Sequence, residues 1–272
     1  MRRAARLVLP ACGLAVWMGR RAADTSRRAH STASECDSVE EGLARLSVDG
    51  FCVMRGSVRM SDVEAALAAA ERLGLPPTAA APANEKWVES SFGRYHRVNF
   101  LGDDVTAFAA LETSLAPLAR AFFQSVDGNS FYRSELQLVT ATPSSENQIW
   151  HSDNRADGLT LLVPLVDFTL QNGATQVLPG THKHGAAMVA SSHAGATVAC
   201  VRRGDVIAMN SRTYHRGLGN ASTEPRPALV LRYDEHATPP PGVGCVGTTL
   251  NRLLAELTNI ATFAGMCIID RR

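Results

Sequence analysis

The stretch NQIWHSDNRADGLTLLVPLVDF, residues 147–168, joins a polar run to an apolar one, and that join decides how the chain is read. Its second half, 158–168, is a short apolar run closed by the turn residues Gln171, Asn172 and Gly173, which is the pattern of a strand. Its first half sets His151 and Asp153 two positions apart. In a strand, or at its frayed end, side chains two apart leave the same side of the backbone. An imidazole and a carboxylate then have their donor atoms close together. That arrangement suits a metal ion, a histidine bonded to an acid, or neither.

Outward from this stretch, the same pattern continues. Short strand-like runs are expected at 134–142, 175–178, 197–201, 205–210 and 228–233, separated by turn residues. Upstream, the periodicity predicts helices over 38–46, 61–73 and about 105–123, with a short apolar strand over 50–54. Ser61, three residues ahead of Glu64, is the expected capping box of the second helix. Residues 77–86 read as a loop, and 249–263 as an amphipathic helix that packs on the body. Asn251, Arg252, Glu256 and Asn259 interrupt that last segment too often for a membrane span. Helices first and many short strands afterwards predict a β-sandwich or barrel braced by helices, not an alternating α/β sheet. The expected organisation is a leader over 1–34 and one domain over 35–272, with a helical part at 38–125 and a β core at about 132–234.

Composition bounds the function. The 272 residues are 45% hydrophobic and 19% charged, which is ordinary for a globular chain able to bury a core. The net charge of +1 hides an asymmetry: residues 1–34 hold seven arginines and one acid, Asp24, and so carry +6, leaving −5 on the remaining 238. A mildly acidic body lacks the concentrated basic surface of a nucleic-acid groove. The arginine-rich, acid-poor leader has an apolar run, 7–19, too short to span a membrane. It is read first as an organellar targeting segment (mitochondrion or plastid), with a secretory leader or a plain tail of a cytoplasmic protein as alternatives. The six cysteines are scattered without a C-x-x-C pair, which fits neither a disulfide framework nor a structural zinc site.

His215 is the partner that the pair at 151–153 needs. It lies in NSRTYHRGLGN, directly after the apolar run GDVIAMN, where Gly217 and Gly219 allow a tight turn. Two histidines and one carboxylate with open positions are the facial triad of non-heme ferrous oxygenases. On spacing alone, the competing reading is a histidine bonded to Asp153 and a loop histidine at 215. Arg226 opens RPALVLRYD eleven residues later, suited to gripping a carboxylate with paired hydrogen bonds, or else to a surface ion pair. His182 and His184, in THKHG, are a rival metal pair by spacing.

Four motifs in order, HSD at 151–153, NGATQVLPGTHKHG at 172–185, GDVIAMNSRTYHRGLGN at 204–220 and RPALVLRY at 226–233, closely resemble the phytanoyl-CoA dioxygenase family of iron(II) and 2-oxoglutarate dependent oxygenases. The likeness covers about a third of the chain, while the helical part, with GFCVMRG at 50–56, fits more loosely. It implies a mainly β fold with flanking helices around a double-stranded β-helix, the cupin-like jelly-roll. It implies that His151, Asp153 and His215 hold Fe(2+) and that Arg226 pairs with the distal carboxylate of 2-oxoglutarate. It implies that O2 takes the last open position, with 2-oxoglutarate going to succinate and CO2 as a small organic substrate is oxidised. Related halogenating enzymes have a small residue where Asp153 stands, so hydroxylation or another oxidation is expected rather than halogenation. The same likeness makes His182 a structural histidine and His184 a surface one.

Around that site, Gln137 is expected to face the same mouth and to bond to the co-substrate. Asn154 and Arg155 are expected either to touch substrate or to stabilise their loop. Lys86, Arg94 and Arg97 fall where the family builds lid elements, and Asn210 either orients His215 or caps its turn. Two further functions compete: a jelly-roll that binds a ligand without catalysis, and a metal-assisted hydrolase. The hydrolase lacks an evident general base, because Arg226 is a poor one.

Overall fold

The computed structural model describes residues 35–72, 74, 88–91, 94–97, 103–125, 131–184 and 195–235. The expected leader, the loop at 77–86 and the helix at 249–263 lie outside these residues, as does Lys86. The helical part opens with β1 (Glu35–Cys36) and α1 (Val39–Asp49), followed by β2 (Phe51–Met54), α2 (Met60–Arg72), β3 (Val88–Ser91), β4 (Arg94–Arg97) and α3 (Asp103–Ser125). The β core then runs through β5 (Tyr132–Ala141), β6 (Gly158–Pro164), β7 (Thr175–Val177), the one-turn α4 (Thr181–His184), β8 (Thr197–Ala199), β9 (Val206–Asn210), β10 (His215–Gly217) and β11 (Arg226–Asp234).

Two sheets face each other. The larger has the order β1-β2-β9-β6-β11-β5-β4-β3, and the smaller has β10-β7-β8. β11 is central, antiparallel to β5 on one side and to β6 on the other. Alternate residues of the large sheet feed two different cores. Cys52, Leu138, Leu161, Ala208 and Leu229 pack toward the helices, while Phe51, Val53, Ile207, Met209 and Ala228 pack toward the small sheet with Phe168 and Val177. Burial on both faces explains why these strands read as apolar runs rather than as a period-two alternation. It also fixes the direction of polar residues: Glu135 and Gln137 on β5, and Arg226 and Arg232 on β11, point from the large sheet toward the small one, because their neighbours in sequence supply the helix-side core.

Helix starts differ from expectation. Ser38 caps α1, its hydroxyl accepting from the Glu41 N–H at 3.2 Å, while the Glu41 carboxylate reaches back to the Asp37 N–H at 3.0 Å. The capping-box chemistry therefore sits here. α2 already begins at Met60, so Ser61 lies inside it and its hydroxyl turns to Asp62 instead. α1 stops at Gly50, whose φ of 78° is the left-handed conformation that a glycine adopts without strain. α3 buries Phe108, Leu111, Leu115, Leu118 and Phe122, a three-and-four spacing that forms one apolar stripe. No helix among the described residues is long and apolar enough to cross a membrane.

Candidate metal centre

His151 and His215 face each other across an antiparallel bridge. The N–H of each donates to the carbonyl of the other, at 3.0 and 2.8 Å. Directly opposed residues project to the same side, and the two imidazole centroids are 4.5 Å apart. His215 is thus the first residue of β10 and not a loop residue. The bridge adds the His151 segment to the edge of the small sheet. Asp153, two residues on, brings its carboxylate to the same side, with Oδ1 3.6 Å from His215 Nε2. One ligand atom from each of the three lies within 4.8 Å of the others, which is close enough to hold one metal ion.

The hydrogen bonds define which nitrogen is free. His151 Nδ1 is 2.9 Å from the Ile149 carbonyl, and His215 Nδ1 is 3.0 Å from the Thr213 carbonyl. A carbonyl oxygen only accepts, so Nδ1 donates in both rings and Nε2 is the atom left for a metal. Metal-binding histidines are oriented in this way by their outer partners. Two imidazole nitrogens and a carboxylate oxygen gathered this closely form a donor set that a single cation would satisfy. That donor set, nitrogen and oxygen with positions left open, fits a divalent first-row ion. Proximity in the fold, which spacing alone left open, is thus compatible with one shared ion.

Asp153 is kept ionised. Burial pushes its carboxyl up, but His215, His151 and Arg232 nearby and a hydrogen bond from Thr160 outweigh burial and hold it below the usual range. Thr160, on β6, donates its hydroxyl to Asp153 Oδ2 at 2.7 Å, which leaves Oδ1 to face His215. Sequence reasoning missed Thr160. Its signal was a hydroxyl in the apolar run 158–164, on the strand that follows the HSD turn.

The remaining candidates separate. Arg226 is 4% exposed, and its guanidinium carbon lies 4.1 Å over the Phe168 ring centroid, so the aromatic face holds the plane of the fork. Gln137 sits opposite Val230 of β11, on the same inward side as Arg226. Asn154 is a loop residue by role: its Oδ1 accepts from the N–H groups of Arg155 and Ala156 at 2.6 and 3.1 Å. Arg155 is exposed. Asn210 caps the turn, accepting from the Arg212 N–H at 3.0 Å and donating to Asp157 at 2.8 Å. The orienting of His215 falls to the Thr213 carbonyl. His182 is buried with Nε2 3.3 Å from the Ser47 carbonyl, a structural contact between α4 and α1. Arg94 and Arg97 lie on β4.

Behind the two histidines, on the other face of the small sheet, Arg216 lies 4.7 Å over the Trp150 ring and donates to Gln176 Oε1 at 2.8 Å. This row crosses the three segments and ties the His151 bridge to β10 and β7.

The sequence model of the phytanoyl-CoA dioxygenase family matches residues 46–228, about two thirds of the chain. The chain belongs to that family. Solved structures share its fold. The crystal structure of the non-heme α-ketoglutarate dependent epimerase SnoN from nogalamycin biosynthesis is 23% identical, with a TM-score of 0.59 over 72% of this chain and 82% of that one. AviO1 from Streptomyces viridochromogenes Tue57 is 23% identical, with a TM-score of 0.60 over 75% and 98%. EvdO2 from Micromonospora carbonacea var. aurantiaca, complexed with 2-oxoglutarate, is 19% identical, with a TM-score of 0.52 over 74% and 94%. The mainly β, cupin-like fold of this phytanoyl-CoA dioxygenase family member is therefore the one that the resemblance implies, and it meets the expectation, from the strand succession, of a β body braced by helices.

Proposed function

We propose that this chain is an Fe(II) and 2-oxoglutarate dependent oxygenase that oxidises a small organic substrate. The observation that carries the reading is the pair of Nδ1-to-carbonyl hydrogen bonds, which leaves Nε2 of each ring as the ligand atom beside the Asp153 carboxylate. Membership of the phytanoyl-CoA dioxygenase family supports it, as do a fold neighbour solved with Fe3+ and α-ketoglutarate and another solved with 2-oxoglutarate.

His151, Asp153 and His215 would hold the iron. Arg226, buried and braced on Phe168, accepts the distal carboxylate of 2-oxoglutarate through its paired N–H groups, and Gln137 offers a further hydrogen bond from the same inward face. Bound iron supplies the activation of O2, coupled to decarboxylation of the keto acid to succinate. The chain's own part is to orient the substrate and exclude water. A carboxylate at 153, where related halogenating enzymes have a small residue, favours an oxidised carbon over a halogenated one as the product.

Succinate formation by the full chain is expected to require both added Fe(II) and 2-oxoglutarate. In Asp153→Ala it should fall to the blank, with the circular dichroism spectrum unchanged. Near-normal turnover in that variant would sink the assignment. A hydrolase working through the same three ligands would instead turn over without 2-oxoglutarate.

A further inference from the structure

Arg232 is a charge in the middle of an apolar strand, 5% exposed, and Asp234 beside it is 3% exposed. Both lie opposite the start of β6, with Arg232 paired to Thr160 and Asp234 to Gly158. A bulge in the ladder to β5 sets Arg232 opposite Glu135 and Tyr233 opposite Arg133, so Ser134 becomes the extra residue. Ser134 then donates its hydroxyl to the Asp234 carboxylate.

Each group reaches toward the metal-binding turn. Arg232 Nη1 lies 2.9 Å from Glu135 Oε2 and 3.4 Å from the main-chain carbonyl of Asp153, while its Nε lies 3.4 Å from Asp234 Oδ2. The other oxygen of Asp234 accepts from the side-chain amide of Asn154 at 2.8 Å. Asn154 in turn donates its main-chain N–H to the Ser211 carbonyl at 3.0 Å. Gly158 leaves room for this: a Cβ there would stand 2.7 Å from Asp234 Oδ1 and 2.9 Å from Ser211 Oγ.

A buried ion network is a poor way to stabilise a fold, because apolar residues of similar volume do as well or better. It does fix geometry, through hydrogen bonds that allow one arrangement. Resting on the metal-centre reading above, we propose that Arg232 and Asp234 are positioning residues for the metal-binding carboxylate: they clamp Asp153 and Asn154 from the large sheet so that Asp153 Oδ1 faces His215. β11 then serves the site from both ends, with Arg226 at its start and the clamp at its finish. Without the clamp, the turn from 153 to 157 loses its link to β11, and the carboxylate is free to rotate into a position meant for another ligand.

The test is anaerobic titration of the full chain with Co2+, followed by its visible ligand-field absorption, for the wild type, Arg232→Met, Asp234→Asn and Arg232→Lys. Arg232→Met and Asp234→Asn are expected to bind Co2+ about 10- to 100-fold more weakly and to show shifted bands at saturation, with Arg232→Lys in between. Folded variants with wild-type affinity and spectrum would overturn the proposal. So would failure of both Arg232→Met and Asp234→Asn to fold, since the pair would then be a stability element. If the wild type itself gives no Co2+ spectrum that Asp153→Ala abolishes, the metal-centre reading fails first and the clamp falls with it.

Discussion

The two sheets are held by different forces, and the site follows the weaker one. The large sheet buries both faces of β2, β6, β9 and β11, so its strands are fixed by apolar area on either side. The small sheet has strands of three residues each, and its fourth segment is a single bridge at His151. Area cannot place so short an edge. Specific hydrogen bonds do it instead: Nδ1 to carbonyl at both histidines, Thr160 to Asp153, and the Trp150–Arg216–Gln176 row behind. The large sheet is therefore the scaffold whose damage costs stability. On the proposed function, the small-sheet edge is the place where damage should cost chemistry.

The sharpest way to break that contrast is to compare His215→Ala with Leu161→Ala. His215→Ala should lower succinate formation by roughly 1,000-fold or more, since a ligand to the reacting centre is gone, with thermal unfolding nearly unchanged. Leu161, fully buried in the large sheet, should cost about 2–5 kcal/mol on truncation, with activity per folded molecule retained. Calorimetry and turnover on the same samples decide it. A large loss of stability in His215→Ala would make the edge part of the scaffold after all.

Arg226 comes next, because it belongs to the large sheet by position and, on the proposed function, to the site by role. Arg226→Ala should raise the 2-oxoglutarate concentration needed for half-maximal turnover by about 30-fold or more, the loss expected when a buried charge pair keeps one partner. Initial rates against 2-oxoglutarate concentration measure it. An unchanged dependence would return Arg226 to the scaffold.

The same contrast explains what was legible in the sequence. The strands at 158–164, 206–210 and 226–234 were readable, as runs over 158–168, 205–210 and 228–233, because burial on both faces makes them largely apolar. β1, β3, β4 and β10 were not read: they are short, like β2, β7 and β8, but β1, β3 and β4 are polar or charged, EC, VESS and RYHR, and HRG at β10 is no more apolar, so no apolar run marks them. HRG at 215–217 looks like a loop because glycines follow and its pairing partners lie 38 or more positions away in the chain. His151, Asp153 and His215 could be picked out by residue type, but spacing left a bonded histidine as an alternative, and it was the resemblance that implied a ligand set. Thr160, Arg232 and Asp234 were not singled out, since a hydroxyl or a charge inside an apolar strand gains meaning only from the residue that it faces.

Gly50 couples the two regions. A Cβ there would stand 2.3 Å from His182 Nδ1 and 2.5 Å from Thr213 Oγ1, and its φ is left-handed. Gly50→Ala should cost about 2 kcal/mol or more, from strain of order 1–2 kcal/mol plus displacement of those neighbours. Because the Thr213 carbonyl holds His215 Nδ1, metal affinity should weaken as well. A stability loss without any change in Co2+ binding would show that the two regions are uncoupled at this junction.

Thr160→Val gives the smallest and most selective effect. The substitution keeps the volume on β6 and removes the hydroxyl that bonds Asp153 Oδ2 at 2.7 Å and lies 3.1 Å from Ser211 Oγ. A hydrogen bond to a charged group contributes about 1.5–3 kcal/mol, but the carboxylate here also gains from Arg232 and the histidines, so the net stability cost should fall at the low end. Because this bond lowers the Asp153 carboxyl, its loss raises the pH below which the carboxylate is protonated. The stability that Asp153 contributes is present above its unfolded-state value and is lost as pH falls through its folded-state value. In Thr160→Val that loss should begin at a higher pH than in the wild type. Acid titration of the metal-free protein, followed by unfolding, measures the difference, and coincident curves would mean that Thr160 holds Asp153 in place without tuning it.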